Sequence, residues 1–239
     1  MEEREMIELA VLVPVLTRPQ NVAPLVESFF AGCPKNSILL TIINSDDSAE
    51  YAAIHAEQPG TRWWVLDVGT QDRSWPCKIN EGVLYLADAD WYLFAADDVT
   101  FVPGWWEATK GLRDDPTVGV IGTNDSATGH GNPRVAVGDH TCHPLVRATY
   151  IQDQGTMDQR GLAVHPGYAH WCVDDELVYT AKLRNAWAFC REAVLEHHHP
   201  YWDKSIPWDD TYAKGEANNA ADMALWKYRA EHVLGLNVR

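Results

Sequence analysis

The sequence predicts an α/β protein with a mostly parallel central sheet and helices on both of its faces. Short apolar runs alternate with stretches that have helix-start and helix-stop residues, and the connections between them are short. The apolar run at 91–96 has the length and the aromatic content of a central parallel strand. A length of 239 residues and a hydrophobic content of 46% suit one domain with a substantial core.

The first half of the chain supplies five predicted strands, at 7–15, 37–44, 62–68, 91–96 and 118–122. A first helix is predicted up to about Phe30, because Pro19 suits its first position and Gly32 its end. The polar residues after the second strand could cap the second helix. The remaining helices between the strands are predicted at 49–55, 74–87 and 103–110.

The pattern changes after residue 122. The segment 123–145 is rich in Gly, Asn, Asp and His and is predicted as a long loop, and such loops in compact domains are usually functional or disordered. After it we predict, in order, a strand at 145–151, irregular structure at 153–169, a helix at 174–186, a strand pair at 186–200 that ends in three histidines, and a terminal helix at 221–235.

Composition excludes several classes of protein. The net charge of −15 argues against broad contact with nucleic acid phosphates. Five cysteines, an odd number without CxxC spacing, indicate free thiols rather than disulfides or structural zinc. We find neither a membrane-spanning apolar run nor a signal sequence, and therefore expect a cytoplasmic protein without a membrane partner. The Gly-rich fingerprints of dinucleotide-binding and P-loop proteins do not occur.

Two carboxylates follow the predicted central strand directly, Asp97 and Asp98. Ligands of open α/β sheets bind at the C-terminal ends of the strands. A pair of carboxylates there suits a divalent cation that also binds phosphate oxygens. The alternative is a solvated turn with capping acids before Pro103.

Five segments resemble the GT-A glycosyltransferases of the family-two type. They are VLVPVLTRPQNV (11–22), TIINSDDS (41–48), the stretch KINEGVLYLADADWYLFAADDVTFVPGWW (78–106), DDEL (174–177) and EHHHPYWDKSIPWDDTY (196–212). The last is similar to the tail of small phage-type members. The resemblance covers most of the chain, and its specificity lies in the order and spacing of the segments.

The resemblance implies a GT-A fold, which is Rossmann-like, and a metal-dependent glycosyltransferase that moves a hexosyl or pentosyl group from a nucleotide-diphosphate sugar to an acceptor hydroxyl. It implies Mn²⁺ or Mg²⁺ and a UDP- or GDP-sugar donor. Residues 1–122 would bind the nucleotide sugar, and residues 123–239 would form the acceptor-binding and catalytic half of the same domain. The acceptor could be a protein, a glycan or a modified DNA base, and a viral protein would act in the host cytoplasm.

Six residues are candidates for binding the nucleotide sugar: Thr17, Arg18, Asp46, Lys78, Asn80 and Asp97. Arg18 could bind a diphosphate with two hydrogen bonds, and Lys78 could neutralise phosphate. The resemblance implies that Asp46 contacts the base, although Asp46 could equally cap a helix or exchange roles with Asp47.

The cation ligands are assigned partly from the resemblance. The usual D-x-D triplet is Ala96-Asp97-Asp98 here, so we assign Asp98 to the metal and Asp97 to the sugar or ribose. His197 and His199 are two residues apart on a predicted strand and would share one face, which suits metal binding. We prefer His199 and keep His197 second.

The acids at 174–176 are candidates for the general base that deprotonates the acceptor hydroxyl. The resemblance places Asp174 at the base position, with Asp175 as the close alternative and Glu176 as the third. The competing interpretation is that acids in a first helical turn are favoured by the helix dipole alone.

Two other functions are compatible with these residues. One is a metal-dependent sugar-nucleotide hydrolase or nucleotidyltransferase that uses the same Asp and His side chains. The other is a non-catalytic glycan-binding module in which some of the eleven tryptophans stack on sugars, which would leave the acids solvated.

Overall fold

The computed structural model describes residues 6–70, 74–125 and 131–236. Part of the loop predicted over 123–145 and the acidic N-terminal residues 1–5 lie outside this range. The strands are β1 (Ile7–Pro14), β2 (Ser37–Ile43), β3 (Trp63–Asp67), β4 (Ala89–Phe94), β5 (Val99–Phe101), β6 (Val120–Asn124), β7 (Pro144–Arg147) and β8 (Trp187–His197). The helices are α1 (Pro19–Gly32), α2 (Ser48–Ala56), α3 (Trp75–Tyr85), α4 (Trp105–Ala108), α5 (Lys110–Arg113), α6 (Pro133–Ala136), α7 (Ala148–Asp153), α8 (Val173–Leu183) and α9 (Asp210–His232).

The strands described form one eight-stranded sheet in the order β3-β2-β1-β4-β7-β6-β8-β5. The pairs β3–β2, β2–β1, β1–β4 and β6–β8 are parallel, and the other three are antiparallel. This confirms the predicted α/β class with a mostly parallel sheet. β1 lies at the centre of the parallel part, so its C-terminal end opens onto the ligand-binding edge expected for such sheets.

Hydrophobic cores lie on both faces of the sheet because the side chains of β1 alternate. Leu9 and Val11 face one core with α1, α2 and α4, whereas Ala10 and Leu12 face the other with α3, α8 and α9. Leu9 and Leu12 are fully buried, and burying a leucine side chain stabilises the fold by roughly 2 kcal/mol. Helices therefore cover both faces, as predicted.

Gly82 allows α3 to pack closely against the sheet. A Cβ atom at this position would lie 2.7 Å from the side chain of Ile42 and 3.2 Å from that of Leu12. The close approach fixes the direction of α3, whose first turn faces the end of β1. Lys78 is on that first turn.

Three predicted elements of the second half differ in the structure. The strand predicted at 145–151 ends at Arg147 and continues as α7. The guanidinium group of Arg147 donates to the carbonyl groups of Arg113, Asp115 and Val118. These hydrogen bonds fix the point where the chain leaves the sheet. The strand pair predicted at 186–200 is one strand, β8, which pairs with β6 along most of its length and with β5 at its end.

The terminal helix, predicted to begin at 221, begins at Asp210. Asp209 caps it by accepting hydrogen bonds from the backbone N–H groups of Thr211 and Tyr212, both at 2.9 Å. The added turns bring Thr211 and Tyr212 to the end of β1. In the part of the chain that the structure describes, no helix combines the length and the apolar character needed to cross a bilayer.

Candidate active site

A cavity of about 620 Å³ opens at the C-terminal ends of β1 and β4. Both halves of the chain line it. Its charged and imidazole side chains, taken together, are Arg18, Lys78, Asp97, Asp98, His143, His170, Asp174, His197, His199 and Lys214. The structure thus brings together seven of the twelve residues that the sequence singled out: Arg18, Lys78, Asp97, Asp98, Asp174, His197 and His199.

Arg18 joins the two carboxylates at the end of β4. Its Nη1 atom donates to Asp97 Oδ1 at 2.9 Å and to Asp98 Oδ2 at 3.1 Å. Burial raises the pKa of Asp97 to about 8, against the opposing effect of Arg18. Burial acts in the same direction on Asp98, but His197 and Arg18 outweigh it and hold the pKa of Asp98 below its usual value. The two neighbouring carboxyl groups therefore differ in the direction of their pKa shifts, raised for Asp97 and lowered for Asp98.

The start of α9 covers this pair. Tyr212 donates its hydroxyl hydrogen to Asp98 Oδ2 at 2.8 Å, and its ring lies 3.9 Å from the guanidinium carbon of Arg18. Asp209 Oδ2 lies 3.2 Å from Arg18 Nε. Asp98 Oδ2 thus has two donors, Arg18 and Tyr212, whereas Asp98 Oδ1 is a buried oxygen without a hydrogen bond among the described residues.

His197 lies between two carboxylates at the end of β8. Its Nε2 atom is 3.4 Å from Asp98 Oδ1, and its Nδ1 atom is 3.4 Å from Asp125 Oδ2. Burial lowers the pKa of His197, but Asp98 and Asp125 overcome this and raise it to about 10. A cation bound at Asp98 Oδ1 would replace the proton on Nε2.

His199 is not on the strand, which ends at His197, but its ring remains 5.2 Å from that of His197. Its Nδ1 atom accepts a hydrogen bond from the backbone N–H of Tyr201 at 3.2 Å. Burial and the nearby His197 lower the pKa of His199 to about 3, so its imidazole is uncharged.

The residues fit a divalent cation. The carboxylate oxygen of Asp98 that has no hydrogen bond, Oδ1, faces the Nε2 atom of His197. A carboxylate together with an imidazole is a donor set that manganese accepts. The uncharged His199 offers a second nitrogen nearby.

The three acids at the start of α8 have different surroundings. Asp174 lines the cavity, and its Oδ2 atom is 3.0 Å from His140 Nε2. Asp175 does not line it, and Arg134 donates to its Oδ1 atom at 2.5 Å. Glu176 lies in the core, where Arg229 and the hydroxyl of Tyr168 bind it.

The electrostatics of Asp174 and Asp175 also differ. Burial raises the pKa of Asp174, but His140 outweighs it and lowers the value below the usual one. Burial and the charge of Asp174 raise the pKa of Asp175. Of the three acids at the start of α8, Asp174 is the one that lines the cavity, and its pKa is lowered.

Three candidate donor-side residues, Thr17, Lys78 and Asn80, form hydrogen bonds within the fold. Lys78 is buried at the cavity wall and donates to the carbonyl of Val15 at 2.8 Å. Thr17 has a positive φ of 54° and is held by Asp47, which accepts its N–H at 2.7 Å. Asp47, rather than Asp46, caps α2.

Asp46 and Asn80 do not line the cavity. Asp46 is exposed. Asn80 binds the backbone of Ala163 and Val164, accepting both N–H groups at 3.1 Å and donating to the Val164 carbonyl at 2.9 Å. Its amide therefore fixes the irregular segment before α8.

Several residues of the site were missed from the sequence. Asp125, His140, Cys142 and His143 come from the loop predicted over 123–145, whose content of Asp and His was the available signal. Tyr212 is in the segment 196–212 that resembles the glycosyltransferases, but the sequence suggested no role for it. Its place above Asp98 depends on the start of α9, which the helical pattern alone did not reveal.

Aromatic side chains form the rim of the cavity. The Tyr201 ring is 5.3 Å from Trp208 and 5.7 Å from Trp171, and the Trp208 ring is 5.7 Å from Tyr212. Trp208 is 47% exposed, which is high for an indole ring. The rim thus offers flat apolar surfaces beside the carboxylates.

Neither a family model nor a curated protein sequence matches the chain. Solved structures do match its fold. TarS of S. aureus (residues 1–349) has a TM-score of 0.62 at 14% identity, over 81% of this chain and 61% of that one. The mannosyltransferase PcManGT of Pyrobaculum calidifontis, in complex with GDP-Man and Mn²⁺, has a TM-score of 0.62 at 14% identity, over 87% and 59%.

A third similar structure is glucosyl-3-phosphoglycerate synthase of Mycobacterium tuberculosis, in complex with Mn²⁺, UDP-glucose and glycerol 3-phosphate. It has a TM-score of 0.59 at 11% identity, over 96% of this chain and 81% of that one. The chain spans about 60% of the length of the first two structures. At these identities the similarity concerns the fold, which is that of the GT-A glycosyltransferases.

Proposed function

We propose that this protein is a metal-dependent glycosyltransferase that moves a sugar from a nucleotide-diphosphate sugar to an acceptor hydroxyl. One observation carries the proposal: Asp98 and His197 face each other across a short gap in the same cavity that Asp174 lines. A cation site and an ionised carboxylate in one cavity supply the two functions that such a transfer needs.

The donor half would comprise residues 1–122, and its nucleotide sugar would bind beside β1 and β4. Arg18 and Lys78, both buried at the cavity wall, supply positive charge for a diphosphate. A divalent cation, Mn²⁺ or Mg²⁺, would neutralise the charge that develops on the leaving diphosphate. Asp97 would then face the sugar or ribose, while Thr17, Asp46 and Asn80 would act through the fold or at the edge of the site.

Asp98 and His197 are the ligands that the geometry favours for this cation, with His199 next. The preference for His197 over His199 reverses the sequence-based order. The reason is that His197 Nε2 lies 3.4 Å from the Asp98 oxygen that has no hydrogen bond, whereas His199 Nδ1 accepts a hydrogen bond from the backbone of Tyr201. UDP- and GDP-sugars are the donors we propose.

The acceptor half, residues 123–239, would present the general base. Asp174 takes the proton of the acceptor hydroxyl as that oxygen bonds to the anomeric carbon, and the bond to the diphosphate breaks with its electron pair. His140 holds the Asp174 carboxylate in place. Asp175 and Glu176 are bound by arginines and would support α8 rather than take the proton.

The aromatic rim suits an acceptor with a flat apolar face. Trp208, Tyr201 and Trp171 could stack on a sugar ring or on a base. The acceptor classes that we consider are a protein, a glycan and a modified DNA base of phage type. The net charge of −15 disfavours the DNA acceptor.

One observation bears on the glycan-binding alternative, and an experiment tests the hydrolase alternative. A glycan-binding module would leave the acids solvated, but Asp97 and Asp98 are each 8% exposed and are bound in one ion network. A hydrolase or nucleotidyltransferase would use the same cation, and product analysis distinguishes it from a transferase.

The test is to incubate the protein with UDP- and GDP-sugars, Mn²⁺ and a panel of glycosides, peptides and hydroxymethylated oligonucleotides, and to analyse the products. We expect a glycosylated acceptor together with free nucleoside diphosphate. Asp98→Ala should lower turnover by roughly 10³-fold, the scale of losing a group that stabilises developing charge. Full turnover in Asp98→Ala, or free sugar as the sole product, would contradict the proposal.

A further inference from the structure

We propose that Asp125 is a positioning residue that presents His197 to the cation. This inference rests on the proposed function, because it assumes that Asp98 and His197 bind a metal ion. Its physical basis is that an imidazole binds metal through one nitrogen while the other donates its hydrogen to a fixed acceptor. That acceptor selects the tautomer and holds the ring.

The two nitrogens of His197 face different carboxylates. Nε2 lies 3.4 Å from Asp98 Oδ1, and Nδ1 lies 3.4 Å from Asp125 Oδ2. Asp98 borders the cavity, whereas Asp125 lies behind the ring and does not line it. With Nδ1–H directed to Asp125, the lone pair of Nε2 is directed to the space beside Asp98.

The fold places Asp125 behind the ring. Asp125 directly follows β6, which pairs with β8 in a parallel register that shifts between Gly122 and Asn124. The Asn124 amide donates to the carbonyl of Arg191 at 2.7 Å, which ties the end of β6 to β8. The register shift and this bond bring Asp125 to the end of β8, where His197 lies.

Asp125 is 2% exposed, and an ionised carboxylate at such depth needs a partner. The imidazole of His197 and the thiol of Cys142 are hydrogen-bond partners of this carboxylate. His143 packs its ring against that of His197, with centroids 4.6 Å apart and planes at 74°. The ring of His197 is thus held on one side by a carboxylate and on another by an imidazole.

The competing arrangement is a cation bound directly by Asp125, Cys142 and His197, whose ligand atoms all lie within 4.8 Å of one another. It would place a thiolate on the cation and leave Asp98 outside the coordination shell. The positioning role predicts that the thiol stays protonated and does not bind the metal.

The test measures the affinity for Mn²⁺ by the electron paramagnetic resonance signal of the free ion, with Mn²⁺ alone and with UDP added. Asp125→Asn should weaken Mn²⁺ binding by about 10- to 100-fold, the usual effect of losing an outer-shell carboxylate. His197→Ala should weaken it at least as much. Asp158→Asn, which removes a carboxylate bound to Arg229 away from the cavity, should leave it unchanged.

Melting temperatures in EDTA show whether each variant is folded. Asp125→Glu keeps the charge but moves it by one methylene group, and it should give an intermediate loss of Mn²⁺ affinity. It replaces Asp125→Asn in the test if that variant is unfolded. Wild-type affinity in the folded Asp125 variants, with loss in His197→Ala, would overturn the positioning role and leave the proposed function intact. If the wild-type protein binds no Mn²⁺ in either condition, the proposed cation site and this inference both fail.

A second readout uses Co²⁺ in place of Mn²⁺. We expect no thiolate-to-cobalt charge-transfer absorption in the wild-type protein. An absorption band that disappears in Cys142→Ser but persists in Cys190→Ser would overturn the inference, because it would place Cys142 on the cation. Cys190 suits the control because its thiol is buried elsewhere, against the carbonyl of Ala108.

Discussion

The two sides of the cavity are built by different means. The proposed donor side lies at the ends of β1 and β4, whose side chains point alternately into two apolar cores. The proposed acceptor side is a long irregular path that leads to α8, and single polar side chains hold it in place. Asp222 of α9, for example, accepts the N–H groups of Ala169, His170 and Trp171 at 2.8–2.9 Å.

This difference shows where sequence and structure connect directly. The hydrophobic pattern predicts the strands of the proposed donor side, because a short apolar run is enough to indicate a buried strand. Nothing in the local pattern of 153–172 indicates that Asp222, some fifty residues later, would fix the path. We therefore expect the proposed acceptor side to be held by fewer contacts than the donor side. Each of these polar contacts should contribute more to stability than a single apolar contact does.

The largest effect should come from substituting the two neighbouring acids of α8, Asp174 and Asp175, one at a time. Asp174→Asn should reduce kcat by about 10³-fold, since it removes the group that takes the proton. Asp175→Asn should reduce it by less than about 10-fold, because this carboxylate is bound to Arg134 and does not line the cavity. The measurement is kcat with the acceptor found in the product analysis. Equal losses of kcat in the two variants would contradict the assignment of Asp174, rather than Asp175, as the general base.

A smaller effect should come from the ion cluster that ties α9 to α8. Glu176→Gln leaves the buried Arg229 without one of its two carboxylate partners and should lower the free energy of unfolding by about 3 kcal/mol. Urea denaturation followed by tryptophan fluorescence measures this change. Glu231→Gln, an exposed acid on the same helix, is the matched control and should be neutral within about 0.5 kcal/mol. A neutral Glu176→Gln would contradict a stabilising role for the Glu176–Arg229 ion pair.

The smallest effect should be the acid dependence of stability from Asp158. The hydrogen bonds from Arg229 lower the pKa of Asp158 from its usual 3.8 to about 2. A carboxyl group with a lowered folded-state pKa stabilises the protein above the unfolded value, and that stability is lost as the pH falls from about 4 to about 2. Asp158→Asn should therefore flatten the dependence of the melting temperature on pH in this window. An unchanged slope would show that this bond adds nothing to the attachment of α9.

The sequence predicted much of the fold and part of the site. Strands β1 to β4 and their helices follow from apolar runs and terminal residues, and the position of Asp97 and Asp98 follows from β4. Three features could not be predicted. β7 lies between β4 and β6, β8 is a single strand, and α9 begins at Asp210; all three depend on contacts between residues distant in sequence.

The site shows the same limit. The sequence predicts Asp98, then His199 and His197, as cation ligands from their residue types, whereas Asp125 is found beside His197 only once β6 and β8 pair. Asn80 and Glu176 carried plausible chemistry in the sequence. In the structure their side chains bind the backbone at 163–164 and Arg229, respectively.

The most direct test of the central claim is a thermal-shift panel of UDP, GDP, ADP, CMP and their sugars, each with Mn²⁺ and with EDTA, on the wild-type protein and Asp98→Ala. A ligand that binds only the folded state raises the melting temperature with its occupancy. We predict an increase with one nucleotide class in Mn²⁺ that is lost in EDTA and in the variant. No increase with any nucleotide, or one that EDTA and Asp98→Ala leave unchanged, would contradict a cation-dependent donor site in this cavity.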